Sequence, residues 1–310
     1  AKVAQRVGAI GRYVQMGEKV LEKSMDFARD PSLAGVLANE GMELAKELAY
    51  ALALEDDPQT VLKMPLGVSK RCAWAEPLQL ADVKAVGRAF QCTVNDVLLA
   101  SVAGALRSYL IERGEVLDGR NIRCTVPVNL RPLEHAKQLG NHFGLVFLEL
   151  PVGEPNPVAR LQKVAENMRQ LRKSRQAIMA FGLLAALGMA PVPLQRVALE
   201  LFSRKATAVA TNVPGPQSPL YLAGSKIKDM MFWVPQTGGI GIGVSIMSYN
   251  GRVHFGLIAD AKLMPDPDSV IRRFEPEFEK LVYLALMAGW EHEFGPDDAE
   301  ALMPAADEHA

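Results

Sequence analysis

Proton transfer near neutral pH is mostly the work of histidine, and this sequence has five: His135, His142, His254, His292 and His309. None lies three to five residues from another, so the spacing that brings two imidazoles onto one metal ion is missing. Cys72, Cys92 and Cys124 are equally scattered and form no C-x-x-C pair. They indicate neither a zinc site nor a disulfide framework, and read as small apolar side chains in a reducing, cytoplasmic setting. Gly239, Gly241 and Gly243 have phosphate-loop spacing, but they alternate within a strand pattern, whereas a dinucleotide fingerprint joins a strand to a helix. Glycines so placed leave room on one sheet face, either for close packing or for a ligand chain lying along the strand. There is no G-x-x-x-x-G-K-[ST] loop and no G-x-S-x-G elbow. No metal and no cofactor is expected.

The elements that must position any chemistry are legible from period and punctuation. Helical spacing runs from Val3 to about Leu54 and stops at Asp56-Asp57-Pro58. A strand over 70–75 and a helix over 80–90 follow. Thr93 and Asp96 form a capping-box pattern ahead of a helix that ends at Gly114. Strands are expected over 122–128 and 143–150, and a helix over 158–174. Residues 176–195 carry no charge, but Gly182, Gly188, Pro191 and Pro193 interrupt them. The stretch therefore reads as ordinary core packing or as a basic-flanked apolar hairpin at a lipid surface, not as a simple span. Strands over 206–213, 240–248 and 253–259 come next, the last two joined by a type I′ turn at Asn250-Gly251. Asp268 is expected to cap a final helix.

Together these elements predict a mixed-sheet, layered α/β domain. It is expected over 67–289, after a helical connector (1–66) and before an acidic, disordered tail (290–310). The net charge of −1 gives no attraction to phosphate backbones, and 6% aromatic residues supply few stacking platforms, so nucleic acid is not expected as a partner. With 49% hydrophobic residues the bulk of the chain can bury a core.

Five local strings remain, in order: Thr93 to Ala100 (TVNDVLLA), Val126 to Arg131 (VPVNLR), Leu139 to Gly144 (LGNHFG), Asn212 to Pro216 (NVPGP) and Ser248 to Gly251 (SYNG). Each alone is weak. Ordered over about residues 60–288, they resemble the C-terminal portion of the bacterial wax ester synthase/diacylglycerol acyltransferase family. That resemblance implies the chloramphenicol-acetyltransferase-like (condensation-domain-like) fold, here the second half of a two-domain enzyme. It implies an acyl-CoA-dependent O-acyltransferase that esterifies a long-chain fatty alcohol or diacylglycerol with a fatty acyl-CoA.

The family's signature, His-His-x-x-x-Asp-Gly, is not in this sequence, which has no adjacent histidines. The resemblance therefore implies a C-terminal part whose general-base histidine stands on a preceding N-terminal segment, and a chain inactive by itself. Asn95 is implied as a supporting group at the active site. Asp96 supports it or caps its helix, and Arg131 would pair with the motif's aspartate. Asn212 and Gly215 would shape the substrate tunnel, with Gly241, Gly243 and Ser245 along the acyl or alcohol chain. Implied partners are the N-terminal segment, the two lipid substrates, and a lipid-droplet or inner-membrane surface on which a cytoplasmic protein would sit peripherally. The alternative is a non-catalytic lipid- or acyl-binding protein on the same fold.

Overall fold

Ile242, Val244 and Ile246 alternate with Gly243 and Ser245, which gives one strand two unlike faces, and the sheet built around it organises the larger of two units in the chain. The computed structural model describes residues 54–130, 143–173, 177, 180, 192–236 and 238–287. In chain order the elements are β1 (Lys70–Trp74), β2 (Leu78–Gln79), α1 (Leu80–Ala89), α2 (Val94–Glu112), β3 (Ile122–Asn129), β4 (Phe143–Leu150) and α3 (Pro157–Lys173). They continue with α4 (Val192–Arg204), β5 (Ala208–Pro214), β6 (Tyr221–Leu222), β7 (Ser225–Lys226), β8 (Ile242–Tyr249), β9 (Arg252–Asp260) and α5 (Pro267–Met287).

The larger unit comprises Asp56–Val126, Phe147–Gln170 and Ala206–Ala310. A mixed seven-stranded sheet has the order β1-β9-β8-β5-β3-β4, with the short β2 also on β9. β8 and β9 form the antiparallel hairpin expected at Asn250-Gly251, whose φ values of 48° and 76° are those of a type I′ turn. β5 runs parallel to both β8 and β3. β6 and β7 make a separate small hairpin through Ala223 and Gly224, both at positive φ. The mixed α/β layered fold expected from the pattern is present.

One face of the sheet carries Ile242, Val244 and Ile246 opposite Ala259, Leu257 and Phe255. Phe255 stacks on Phe274 of α5 at 4.0 Å, so this is the face that the helices cover. α2 packs against α1 and α5, and is buried on nearly every side. Among the described helices α2 alone is long and apolar enough to cross a membrane, and its burial makes it a core helix.

Two polar devices fix α2. Tyr109 donates to Asp266 at the start of α5 (3.0 Å), and Arg160 of α3 reaches the carbonyl of Ala100 (3.3 Å). Arg160 also forms a buried ion pair with Glu277 of α5. That pair explains a glycine inside a helix, a choice that costs about 1 kcal/mol relative to alanine. A Cβ on Gly104 would fall 2.1 Å from the Glu277 carboxylate and 2.6 Å from the Arg160 guanidinium.

Asp57 anchors the segment that leads into β1. It is 1% exposed; its carboxylate accepts the backbone N–H of Arg123 (2.9 Å) and the hydroxyl of Thr207. Nearby, the Lys63 ammonium donates to the carbonyl of Ala206. Burial dominates both groups, pushing Asp57 up to about 6 and Lys63 down to about 8.

The smaller unit, Ala1–Glu55, Pro127–Val146 and Leu171–Lys205, is described mainly through α4. The Lys205 ammonium holds the carbonyl of Leu54 there, at 2.5 Å. Pro193, expected as an interruption, stands in the first turn of α4, where a missing N–H costs nothing. Asp268 does not precede α5 but lies within its first turn, because the helix begins at Pro267. The bulk of the 1–66 connector, the 290–310 tail, and most of the 176–195 stretch fall outside the described residues.

A raised folded pKa means that the native state holds a proton which the unfolded chain releases. Folding stability from Asp57 is therefore full below pH 4 and falls as pH rises to about 6, by up to about 3 kcal/mol. Urea midpoints measured from pH 4 to pH 7 should show this decline in the parent, and Asp57→Asn should flatten it. An identical pH dependence in the variant contradicts the assignment.

Candidate functional site

Two asparagines meet where β5 ends and α2 begins. Thr93 caps α2 through a reciprocal box: its hydroxyl accepts the N–H of Asp96 (3.3 Å), and the Asp96 carboxylate accepts the N–H of Thr93 (2.8 Å). Asp96 is 2% exposed and its carboxylate serves the cap, the structural alternative of its two expected roles. Asn95 is left in the first turn, half-buried, with its amide outside the cap.

Asn212 arrives from the sheet. The parallel register runs unbroken from Ala208↔Ile242 to Pro214↔Ser248 and sets Asn212 beside Ile246, near the carboxyl end of both strands. Its side-chain N–H₂ donates to Oδ1 of Asn95 at 3.0 Å. The carboxyl ends of parallel strands, beside a helix N-terminus, are where open α/β sheets bind ligands, because the backbone there diverges and leaves room. The amino end of α2 adds a partial positive charge at the same edge.

The turn after β5 closes the edge. The Gly215 N–H donates to the carbonyl of Ser248 (2.8 Å), and a Cβ at Gly215 would sit 2.5 Å from that oxygen. Gln217 bridges the carbonyl of Gly215 (2.9 Å) and the hydroxyl of Ser248 (3.2 Å). Gly215 thus permits the close approach of the Pro-Gly-Pro turn to β8. Gln217 and Ser248 were not among the expected site residues, since only the pairing of β5 with β8 brings Ser248 to the turn that follows β5.

Gly241, Gly243 and Ser245 lie on the opposite sheet face. There the room left by small side chains is taken by the domain itself. A Cβ on Gly241 would meet Leu263 at 2.5 Å and Leu66 at 2.9 Å; one on Gly243 would meet Val234 at 2.6 Å and Ile258 at 2.7 Å. The Ser245 hydroxyl, fully buried, accepts the N–H of Val234 (3.1 Å). Of the two readings offered by the alternating glycines, close packing is the one this arrangement displays. Arg131 lies outside the described residues.

Chemically, Asn95 and Asn212 are neutral: they donate and accept hydrogen bonds, and they take no proton at neutral pH. His254 is the third residue of β9, opposite Met247 and 2% exposed. Burial holds its imidazole below the usual histidine range; the nearest acid is Asp229, at 3.9 Å. Among the described residues, no cluster of three or more His, Cys, Asp or Glu could hold a metal ion. The pair can orient and polarise a carbonyl group, and neither amide can serve as a base.

Residues 139–282 match the family model described as the WS/DGAT C-terminal domain. The chain belongs to the WS/DGAT family through this domain. It is similar to the probable diacylglycerol O-acyltransferase tgs1 of Mycobacterium tuberculosis H37Rv, 32% identical over 215 residues, 68% of this chain and 46% of the relative. Against tgs2 of the same strain the identity is 32% over 246 residues, 76% of this chain and 54% of the relative. The chain thus spans about half the length of the curated relatives that it matches. The wax ester synthase/diacylglycerol acyltransferase from Marinobacter aquaeolei VT8 shares the fold, with a TM-score of 0.58, 24% identity, and coverage of 79% of this chain and 56% of that one. So does the TRI3 trichothecene 15-O-acetyltransferase from Fusarium sporotrichioides, with a TM-score of 0.53, 13% identity, and coverage of 79% and 52%. The WS/DGAT domain therefore has the acyltransferase fold that the five sequence strings implied.

Packing over the glycine face has a measurable consequence. Gly243→Leu should destabilise the WS/DGAT domain by about 1–3 kcal/mol, because Val234 and Ile258 are β-branched and stiff. The urea midpoint reads this; an unchanged midpoint means open space above Gly243.

Proposed function

We propose that this chain supplies the C-terminal half of an acyl-CoA-dependent O-acyltransferase, making wax esters or triacylglycerol from a fatty acyl-CoA and a long-chain alcohol or diacylglycerol. The observation that carries the reading is the Asn212–Asn95 hydrogen bond, by which Asn212, at the carboxyl edge of parallel strands within the WS/DGAT C-terminal domain, reaches the first turn of α2. In the reaction, the acceptor hydroxyl oxygen bonds to the thioester carbonyl carbon and the C–S bond breaks. The hydroxyl proton passes to a general base and then to the departing CoA thiolate, leaving an ester and free CoA.

The base is the histidine of a His-His-x-x-x-Asp-Gly segment upstream of this chain. The part played by this chain is electrostatic and geometric. Asn95 lies at the positive end of α2, which favours the negative charge that builds on the thioester oxygen. Amides suit this task because they polarise without competing for the proton. The long hydrocarbon substrates place the reaction at a lipid-droplet or inner-membrane surface.

An assay of CoA thiol release from a long-chain acyl-CoA, with hexadecanol or diacylglycerol as acceptor, tests the division of labour. The 310-residue chain alone should give no turnover, and joining it to the upstream histidine segment should restore ester formation. Turnover by the chain alone contradicts the assignment of the base. Tight acyl-CoA binding without turnover in the joined protein favours the non-catalytic reading.

A further inference from the structure

We infer that Asn212 is a positioning residue, whose donated hydrogen bond decides which end of the Asn95 amide faces the reacting thioester. The inference rests on the functional reading above, in which Asn95 stands beside the thioester oxygen. An asparagine amide presents an acceptor at one end and a donor at the other, and rotation about its terminal torsion exchanges them at little cost. An oxyanion is stabilised by the donor end only. Asn95 sits in the first turn of α2, and its neighbours Thr93 and Asp96 are engaged with each other in the cap. The Nδ2–H of Asn212 meets Oδ1 of Asn95 at 3.0 Å. With Oδ1 engaged, the Asn95 N–H₂ is the end turned away from Asn212 and offered as a donor.

Asn212 can do this because its own place is set by the backbone. Seven consecutive parallel pairings fix β5 on β8, and the Gly215–Ser248 and Gln217–Ser248 hydrogen bonds secure the turn that follows. The sheet therefore imposes an orientation on a helix-borne side chain from 117 residues away in sequence. Asn212 is exposed and Asn95 half-buried, so the pair adds little to folding and its geometry has consequences chiefly for the reaction.

Asn212→Asp separates this role from one of shape or stability. Aspartate has the same outline but only accepts, so Asn95 would turn its N–H₂ toward the carboxylate and present its carbonyl oxygen to the thioester. In the intact enzyme, with the upstream histidine segment present, Asn95→Ala, Asn212→Ala and Asn212→Asp should each lower kcat by roughly 10- to 100-fold. The KM for acyl-CoA should stay within about twofold, and thermal midpoints should match the parent. In the Asn95→Ala background, Asn212→Ala should cause no further loss, because its target is gone. Near-parental activity in Asn212→Asp, or losses that multiply in the double variant, overturns the positioning role. Full activity in Asn95→Ala means instead that Asn95 does not face the thioester, and it is the functional reading that fails.

Discussion

Parallel pairing of β5 with β8 is the constraint from which the rest of the site follows. Evenly spaced hydrogen bonds hold seven residues in register, and a slip of one residue would move Asn212 to the opposite face of the sheet. In the observed register Ala208, Ala210 and Asn212 share a face with Ile242, Val244 and Ile246, the face covered by α2 and α5. Only there can an amide from the sheet reach an amide in the first turn of a helix.

The register is protected from both sides. On the helix side, Phe255 and Phe274 stack, and Arg160 and Glu277 lock α3 to α5 across the gap that Gly104 leaves in α2. On the other side Val234 lies over Gly243 and bonds to Ser245, while Gln236 donates to the carbonyl of Ile258 (2.9 Å). The segment that contains them runs without strand pairing across β8 and β9 and fills the groove that the small residues make. A buried ion pair contributes little net stability, yet removing one partner strands a charge; the cluster thus opposes alternative helix packings more than it deepens the native one.

Local chemistry was legible in the sequence wherever one segment decides its own shape. The Thr93–Asp96 box, the Asn250-Gly251 turn and the two-faced pattern of β8 each depend on neighbours within a few residues. Asn95 and Asn212 were each recognisable as candidates through family resemblance, but their pairing was not, because it depends on strand order. Gly241 and Gly243 show the same limit: alternating small residues announce a groove without saying whether substrate or protein fills it. Asp57, Gly104 and Gln217 carried no local signal, since their partners stand far away in the chain. The family match accounts for the fold.

Affinity alkylation tests this account most directly. In the intact enzyme carrying Cys72→Ser, which removes the one exposed cysteine among the described residues, a cysteine is introduced by Asn95→Cys or, as a remote control, by Glu279→Cys. Cys92 will stay silent because burial pushes its thiol up to about 12. Treated with a bromoacetyl-CoA analogue, the Asn95→Cys enzyme should be alkylated much faster than the control, and a long-chain acyl-CoA should protect it. Equal, unprotected labelling of the two would contradict the placement of the thioester at the β5–α2 edge.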